Sequence, residues 1–265
     1  MLVSEVMLQQ TQVTRVVPAY GEFLRRFPTL AALSAAPLAD VLRTWSGLGY
    51  NRRARDLHRI ARLHPVALPV TRDALDALPG IGRYTAGAVV CFSRGESVAF
   101  ADTNIRRVLG RALLGRVATE REAVALDERY VPRGAADRWH HALMDLGATV
   151  CVSRAPRCTA CPIASACRSR GRAVRAATKR QSAFASSERR VRGRIVALLA
   201  ASGEMTLRAL ATRVGDVRVP RLAAVLADEG LIEIRRARVR LPDDPLVVQA
   251  PGRLKPRRVN VVSQP

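Results

Sequence analysis

Thr71-Arg72-Asp73-Ala74-Leu75-Asp76-Ala77-Leu78-Pro79-Gly80-Ile81-Gly82-Arg83-Tyr84-Thr85-Ala86-Gly87-Ala88-Val89-Val90-Cys91 reads as two helices joined by a glycine turn. Thr71 starts a short helix that ends at Leu78-Pro79, and a second helix runs on through Ala86, Val89 and Val90. In the turn Leu78-Pro79-Gly80-Ile81-Gly82, two residues lack a Cβ just before a helix N-terminus, so backbone N–H groups can point outward at an anion. A DNA phosphate fits that nest, with Leu78, Gly80 and Gly82 as its contact residues. A tight interhelical turn with packing glycines is the plainer alternative.

On either side of this hairpin, apolar residues recur at helical spacing and strand signals are nearly absent before residue 230, so the chain is expected to be mainly α. Ser4 is expected to cap a helix carrying Val6, Leu8, Val13 and Val16. Pro37 opens another, stopped by Gly47 and Gly49, and the next runs from about Arg52 to Leu63. Further helices are expected near Asn104 to Leu114, Arg121 to Tyr130 and Asp137 to Ala148. The six basic residues and no acid between 168 and 180 read as a linker. Beyond it, Glu188 to Ala201, Thr206 to Val214 and Val219 to Glu229 read as three short amphipathic helices. Leu231 to Ile234 and Arg238 to Leu241 then form a two-stranded ribbon, a winged-helix order. The expected divisions are 1–97 for a helical barrel with the hairpin, 98–170 for a cysteine-bearing domain, 171–185 for the linker, 186–242 for the winged helix and 243–265 for a disordered tail.

Lys and Arg number 44 against 22 Asp and Glu, a formal charge of +22, which makes a polyanion the default partner. From Arg168 onward the basic residues outnumber the acidic ones by 22 to 8, so the tail carries +14 of that charge. Apolar runs fall far short of the roughly 20 residues that span a bilayer, and Met1-Leu2-Val3-Ser4-Glu5 is no secretory signal. A cytoplasmic chain without disulfides is therefore expected. Of five cysteines, Cys91 sits in an apolar helical run and reads as core, whereas Cys151, Cys158, Cys161 and Cys167 crowd one loop-rich stretch. Four thiolates so close suit zinc or a cubane iron-sulfur cluster; one Cys-x2-Cys knuckle with wide arms leans toward iron-sulfur.

Ser4-Glu5-Val6-Met7-Leu8-Gln9-Gln10-Thr11-Gln12-Val13, Gly47-Leu48-Gly49-Tyr50, the hairpin, Ala101-Asp102-Thr103-Asn104, Met144-Asp145-Leu146-Gly147-Ala148 and the four-cysteine loop follow one another in order. Over residues 1 to about 170 this resembles the MutY-type adenine DNA glycosylases of the helix-hairpin-helix superfamily. The resemblance implies a six-helix barrel joined to a 4Fe-4S domain, acting as a monomer in a bacterial cytoplasm or nucleoid on double-stranded DNA with adenine mispaired with guanine or 8-oxoguanine. By the same resemblance Glu5 protonates the departing base and Asp102 stabilises or traps the oxocarbenium-like sugar. Asn104 orients water or Asp102, Tyr84 and Asp145 line the adenine pocket, and Gln9, Gln10 and Tyr50 belong to the DNA-binding face, Gln10 and Tyr50 as the wedge that fills the vacated duplex. The four cysteines hold the cluster.

Tyr84 stands where the related endonuclease III has a Schiff-base lysine, and the chain's lysines are Lys179 and Lys255, so a monofunctional glycosylase is expected. The resemblance begins almost at the catalytic helix, so either translation starts upstream or the pocket lacks the arginine that the family's preceding segment supplies. The winged-helix pattern stands where the family has a Nudix-like domain. A thymine or uracil mismatch glycosylase shares the tyrosine hairpin, Asp102 and cysteine loop but not the glutamine-rich helix. A non-catalytic iron-sulfur DNA-binding protein is the alternative from another class, and the presence of both Glu5 and Asp102 speaks against it.

Overall fold

The computed structural model describes residues 1–172, 174 and 183–243. Ten helices form the first part: α1 (Leu2–Leu8), α2 (Val13–Arg26), α3 (Leu30–Ala35), α4 (Leu38–Thr44), α5 (Arg52–Leu63), α6 (Arg72–Asp76), α7 (Arg83–Arg94), α8 (Thr103–Leu109), α9 (Glu120–Tyr130) and α10 (Ala136–Asp145). Their starts follow sequence chemistry: the Thr29 and Thr71 hydroxyls accept from backbone N–H groups three residues on, and Thr119 with Glu122 makes a reciprocal capping box. Ser4 does not cap α1. The helix already begins at Leu2, and the Ser4 hydroxyl donates to the Met1 carbonyl from inside the first turn.

Helix α7 explains its own composition. Ala86, Val89 and Val90 face one core with Met7, Phe23 and Trp45, while Ala88 and Cys91 face a second core with Phe100, Ile105, Val108 and Leu143. A helix apolar on two faces is one that separates two cores. At Gly87 an added Cβ would lie 2.9 Å from the Cβ of Phe100, so only glycine lets that ring approach. Phe100 is also fixed through its backbone: its N–H donates to the fully buried Asp127, which accepts from Trp139 Nε1 and meets His140 Nε2 as well, both at 2.6 Å. The imidazole stacks on Phe100 with ring centroids 3.9 Å apart. A buried carboxylate with three partners is tolerated where a lone one is not, and here it anchors the segment that leads into Asp102.

Helices α8 and α10 each run on into a π-helical turn, Gly110–Leu114 and Leu146–Val150. Beyond the cysteine loop, the basic stretch begins packed rather than free: Arg168 and Ser169 donate backbone N–H groups to the carbonyls of Ala112 and Arg111. Most of the linker and nearly all of the tail expected from the sequence lie outside the described residues.

The C-terminal part contains α11 (Glu188–Ser202), β1 (Met205–Thr206), α12 (Leu207–Val214), α13 (Val219–Asp228), β2 (Glu233–Arg235) and β3 (Arg238–Arg240). The ribbon read from the sequence is a three-stranded antiparallel sheet of order β1-β3-β2, with Met205 opposite Val239 and Ile234 opposite Val239 on the other side. The two-residue strand β1 was hidden because it carries no alternating pattern. This part is not a tethered satellite. Val191, Ile195 and Leu199 of α11 join Leu38, Val41 and Leu42 of α4 in one continuous core, and Glu229 meets Arg52 across the seam while Arg192 of α11 holds the same carboxylate from its own side.

Candidate active site

Helix α1 buries Leu2, Val6 and Met7 and leaves Glu5 half-buried against α7. Tyr84, in the first turn of α7, brings its hydroxyl into the electrostatic neighbourhood of the Glu5 carboxylate and donates it to Met144 Sδ at 3.9 Å. Burial pushes the Glu5 pKa above its ordinary value and the charge of Asp102 adds to the push, while the N-terminal ammonium, the Tyr84 hydroxyl and His141 pull the other way. Burial, with the charges of Glu5 and Asp102, raises the Tyr84 phenol and keeps it a donor.

Asp102 is the N-cap of α8. One oxygen accepts from Asn104 N and Ile105 N at 2.8 and 2.7 Å, and the other accepts from Asn104 Nδ2 at 2.8 Å. Capping and a functional role are compatible, because the cap fixes the direction of the carboxylate. Behind it Arg107 donates to Asn104 Oδ1 at 2.7 Å and to the Cys151 carbonyl at 2.6 Å, so hydrogen bonds run unbroken from Asp102 to the cysteine loop. Gly147 makes the approach possible: a Cβ there would fall 2.6 Å from the Cβ of Asn104. Neither Arg107 nor Gly147 was singled out from the sequence, where one is an arginine among 42 and the other a glycine inside an apparently regular helix. Asp145, at the end of α10, is exposed, with no hydrogen bond between it and Glu5, Tyr84 or Asp102.

The structure divides the remaining DNA-facing candidates. Leu78 is buried at 8% exposure, so its side chain is core and only its backbone is available. Gly80, at φ +74°, needs glycine doubly, since a Cβ would also lie 2.9 Å from Asp56 Oδ2. Gly82 caps α7 from extended backbone with open space where a Cβ would be. Gln9 turns inward, its amide donating to Thr85 Oγ1 at 3.2 Å. Gln10 and Tyr50 are exposed and both adopt positive φ, +57° and +49°.

Cys151, Cys158, Cys161 and Cys167 line one concavity, walled by both π-helical turns. Among the described residues no group of three or more His, Cys, Asp or Glu side chains is placed to hold a metal ion. Arg111 tests the fit of a bound group to the cysteine loop. Arg111 is 2% exposed, and its guanidinium meets the carbonyls of Cys151, Val152, Ser153 and Val174 and, at 3.4 Å, Cys151 Sγ, so a buried cation faces one of the thiols with no carboxylate paired to it among the described residues. An anionic thiolate-bound group is what such a charge accommodates.

Residues 3–132 match the family described as HhH-GPD superfamily base excision DNA repair protein. The adenine DNA glycosylase of Mycolicibacterium smegmatis is 44% identical over 207 residues, covering 75% of this chain and 70% of that protein. The chain belongs to the adenine DNA glycosylase family. The human adenine DNA glycosylase is 39% identical over 180 residues, 64% of this chain and 33% of the human protein. Among solved structures, an endonuclease III–DNA complex superposes with a TM-score of 0.58 at 25% identity, and a thermostable thymine-DNA glycosylase with 0.56 at 28%; each match covers 63% of this chain and 81% or 82% of the other.

Proposed function

We propose that this adenine DNA glycosylase hydrolyses the N-glycosidic bond of adenine mispaired with guanine or 8-oxoguanine, with Glu5 as general acid and Asp102 as the carboxylate that stabilises the sugar cation. One observation carries the reading: a half-buried carboxyl with a raised pKa, beside Tyr84, lies in the field of a second carboxylate fixed at a helix N-cap. Adenine leaves poorly as an anion, so a carboxyl whose protonated form is favoured by burial lowers the barrier by donating to the ring as the bond breaks. The sugar gains oxocarbenium character, and Asp102, directed by three N–H groups, supplies the opposite charge without having to reorient. Asn104 keeps that carboxylate in place. The adenine must leave the stack first; exposed Gln10 and Tyr50 are suited to occupy the vacated space, and the Gly80–Gly82 turn to hold the neighbouring phosphate.

Cys151, Cys158, Cys161 and Cys167 would hold a 4Fe-4S cluster whose chemistry here is structural charge and crosslinking of the loop. The protein acts as a monomer in a cytoplasmic compartment; no helix among the described residues is long and apolar enough to cross a membrane. The winged-helix reading of residues 186–242 is retained, but its grip on phosphate is weaker than its charge implies. Arg218, Arg221, Arg238 and Arg240 are paired with Asp216, Glu188, Glu204 and Glu233, and Arg235 shares Glu233.

The test is incubation with duplexes carrying A opposite 8-oxoguanine, A opposite G, T opposite G and U opposite G, read with and without alkali. Excision confined to the adenine duplexes, with strands broken only after alkali, is expected. Thymine or uracil release would overturn the substrate, and nicking without alkali the monofunctional reading that rests on Tyr84.

A further inference from the structure

Two surface loops hold their tips in an expensive conformation. Gln10 and Tyr50 both lie at positive φ, a region unfavourable for a residue with a Cβ unless its surroundings impose it. One side chain does the imposing. Arg53, in the first turn of α5, donates Nη1 to the carbonyls of Val6, Met7 and Gln9 at 2.8, 2.8 and 2.7 Å, and Nη2 to Thr11 Oγ1 at 3.0 Å and to the carbonyls of Leu48 and Gly49 at 3.3 and 3.1 Å. Its guanidinium also lies 5.3 Å from the Trp45 ring and 5.4 Å from the Tyr50 ring. The Val6 and Met7 carbonyls lie in the last turn of α1, where a helix leaves carbonyls unpaired, Gln9 follows as its C-cap, and the Leu48 and Gly49 carbonyls belong to a glycine turn. A single planar fork thus ties the end of α1 to the α4–α5 turn, and burial pulls its pKa down to about 10, still fully charged at neutrality.

We infer that Arg53 is a positioning residue for base extrusion, holding the Gln10 and Tyr50 loops in one fixed geometry from which both side chains enter the duplex together. This rests on the proposed wedge role of those two residues. Lysine cannot replace it, because an ammonium has three donors and no planar fork to span six acceptors on two loops. Arg53 makes no hydrogen bond to Glu5, Tyr84 or Asp102, so its effect should reach excision through the loops.

The experiment compares wild type, Arg53→Lys, Tyr50→Ala, and the Tyr50→Ala/Arg53→Lys double variant by three readouts. Amide hydrogen exchange tests the clamp itself: in Arg53→Lys, protection should fall in residues 9–12 and 47–51 while the α7 and α8 amides keep theirs. Unchanged exchange in both loops, or loss spread through the whole barrel, overturns the clamp. Fluorescence of 2-aminopurine at the target position, in a duplex with guanine opposite, reports extrusion, and single-turnover excision of adenine reports chemistry. Arg53→Lys should lose most of the fluorescence rise and slow excision by about 10²-fold, the scale of a misplaced positioning group, with far less additional loss when Tyr50 is already alanine. An equal loss in both backgrounds means that Arg53 acts elsewhere and overturns the inference. If Tyr50→Ala extrudes normally while exchange in Arg53→Lys loosens both loops, the wedge reading fails and the clamp stands as a structural tie, no longer a positioning residue for extrusion.

Discussion

Glu5 and Asp102 illustrate how two carboxylates on one site acquire different roles from their surroundings. Glu5 sits in partial burial with a phenol beside it, whereas Asp102 is surrounded by N–H donors. Because burial raises the Glu5 pKa above 4.5, its protonated form is the one favoured by folding. The stability it contributes is complete below the unfolded value and is lost as pH rises through the folded one. Glu5→Gln, which keeps the shape and removes the charge, is therefore expected to melt at a higher temperature than wild type at pH 8, with the gap closing toward pH 4.5 in paired thermal scans. Wild-type single-turnover excision should decline on the alkaline side as the acid loses its proton. A Glu5→Gln protein that melts below wild type at pH 8 would show that the carboxylate is welcome in its pocket and is no general acid. The residue types were legible in the sequence because the motifs carrying them are local. Arg107, Arg111 and Arg53 were not: each acts by reaching carbonyls far along the chain, and an arginine's partners leave no mark in its own neighbourhood.

Among the elements, the approach of α8 to α10 decides whether Asp102 is held. Gly147 sits in the π-helical turn that extends α10, against Asn104 in the first turn of α8. A methyl at Gly147 must displace Asn104, and with it the amide that Asp102 accepts. Gly147→Ala should slow single-turnover excision by about 10-fold or more, in the range of a shifted electrostatic stabiliser, with affinity for undamaged duplex unchanged; excision at the wild-type rate would mean that Asn104 is not needed to hold the carboxylate. Most helices were readable from spacing and, at Thr71, from a start signal, but the break that separates α1 from α2 and the short α3 were not. Two further features escaped that reading. The π-helical turns look like continued α-helix because the apolar period shifts by only one residue, and β1 is too short to show a period of two.

For the whole molecule, the docking of the C-terminal part changes what truncation means. The sequence alone implied a separate basic domain beyond a linker. The core that runs from α4 into α11 makes it part of the barrel's stability instead. Ile195, fully buried on α11, should cost about 2–5 kcal/mol on change to alanine, and the barrel should lose that stability with it, so near-ultraviolet signals from Trp45 and the helical far-ultraviolet signal should melt together at a lower temperature. Two separate transitions, with only the smaller one shifted, would show that the two parts fold independently. Charge composition could not reveal this docking, because the apolar face of α11 is consistent with a core of its own and only the partner surface on α4 distinguishes the two arrangements.

The account as a whole rests on Glu5 and Asp102 performing the reaction, and single-turnover excision of adenine opposite guanine by Glu5→Gln and Asp102→Asn, measured beside duplex affinity, tests it most directly. Each variant is predicted to lose at least about 10²-fold in rate while binding holds or tightens, since removing a negative charge from a surface that faces phosphates lowers repulsion. Excision near the wild-type rate by either variant, in enzyme saturated with substrate, would contradict the assignment of that residue.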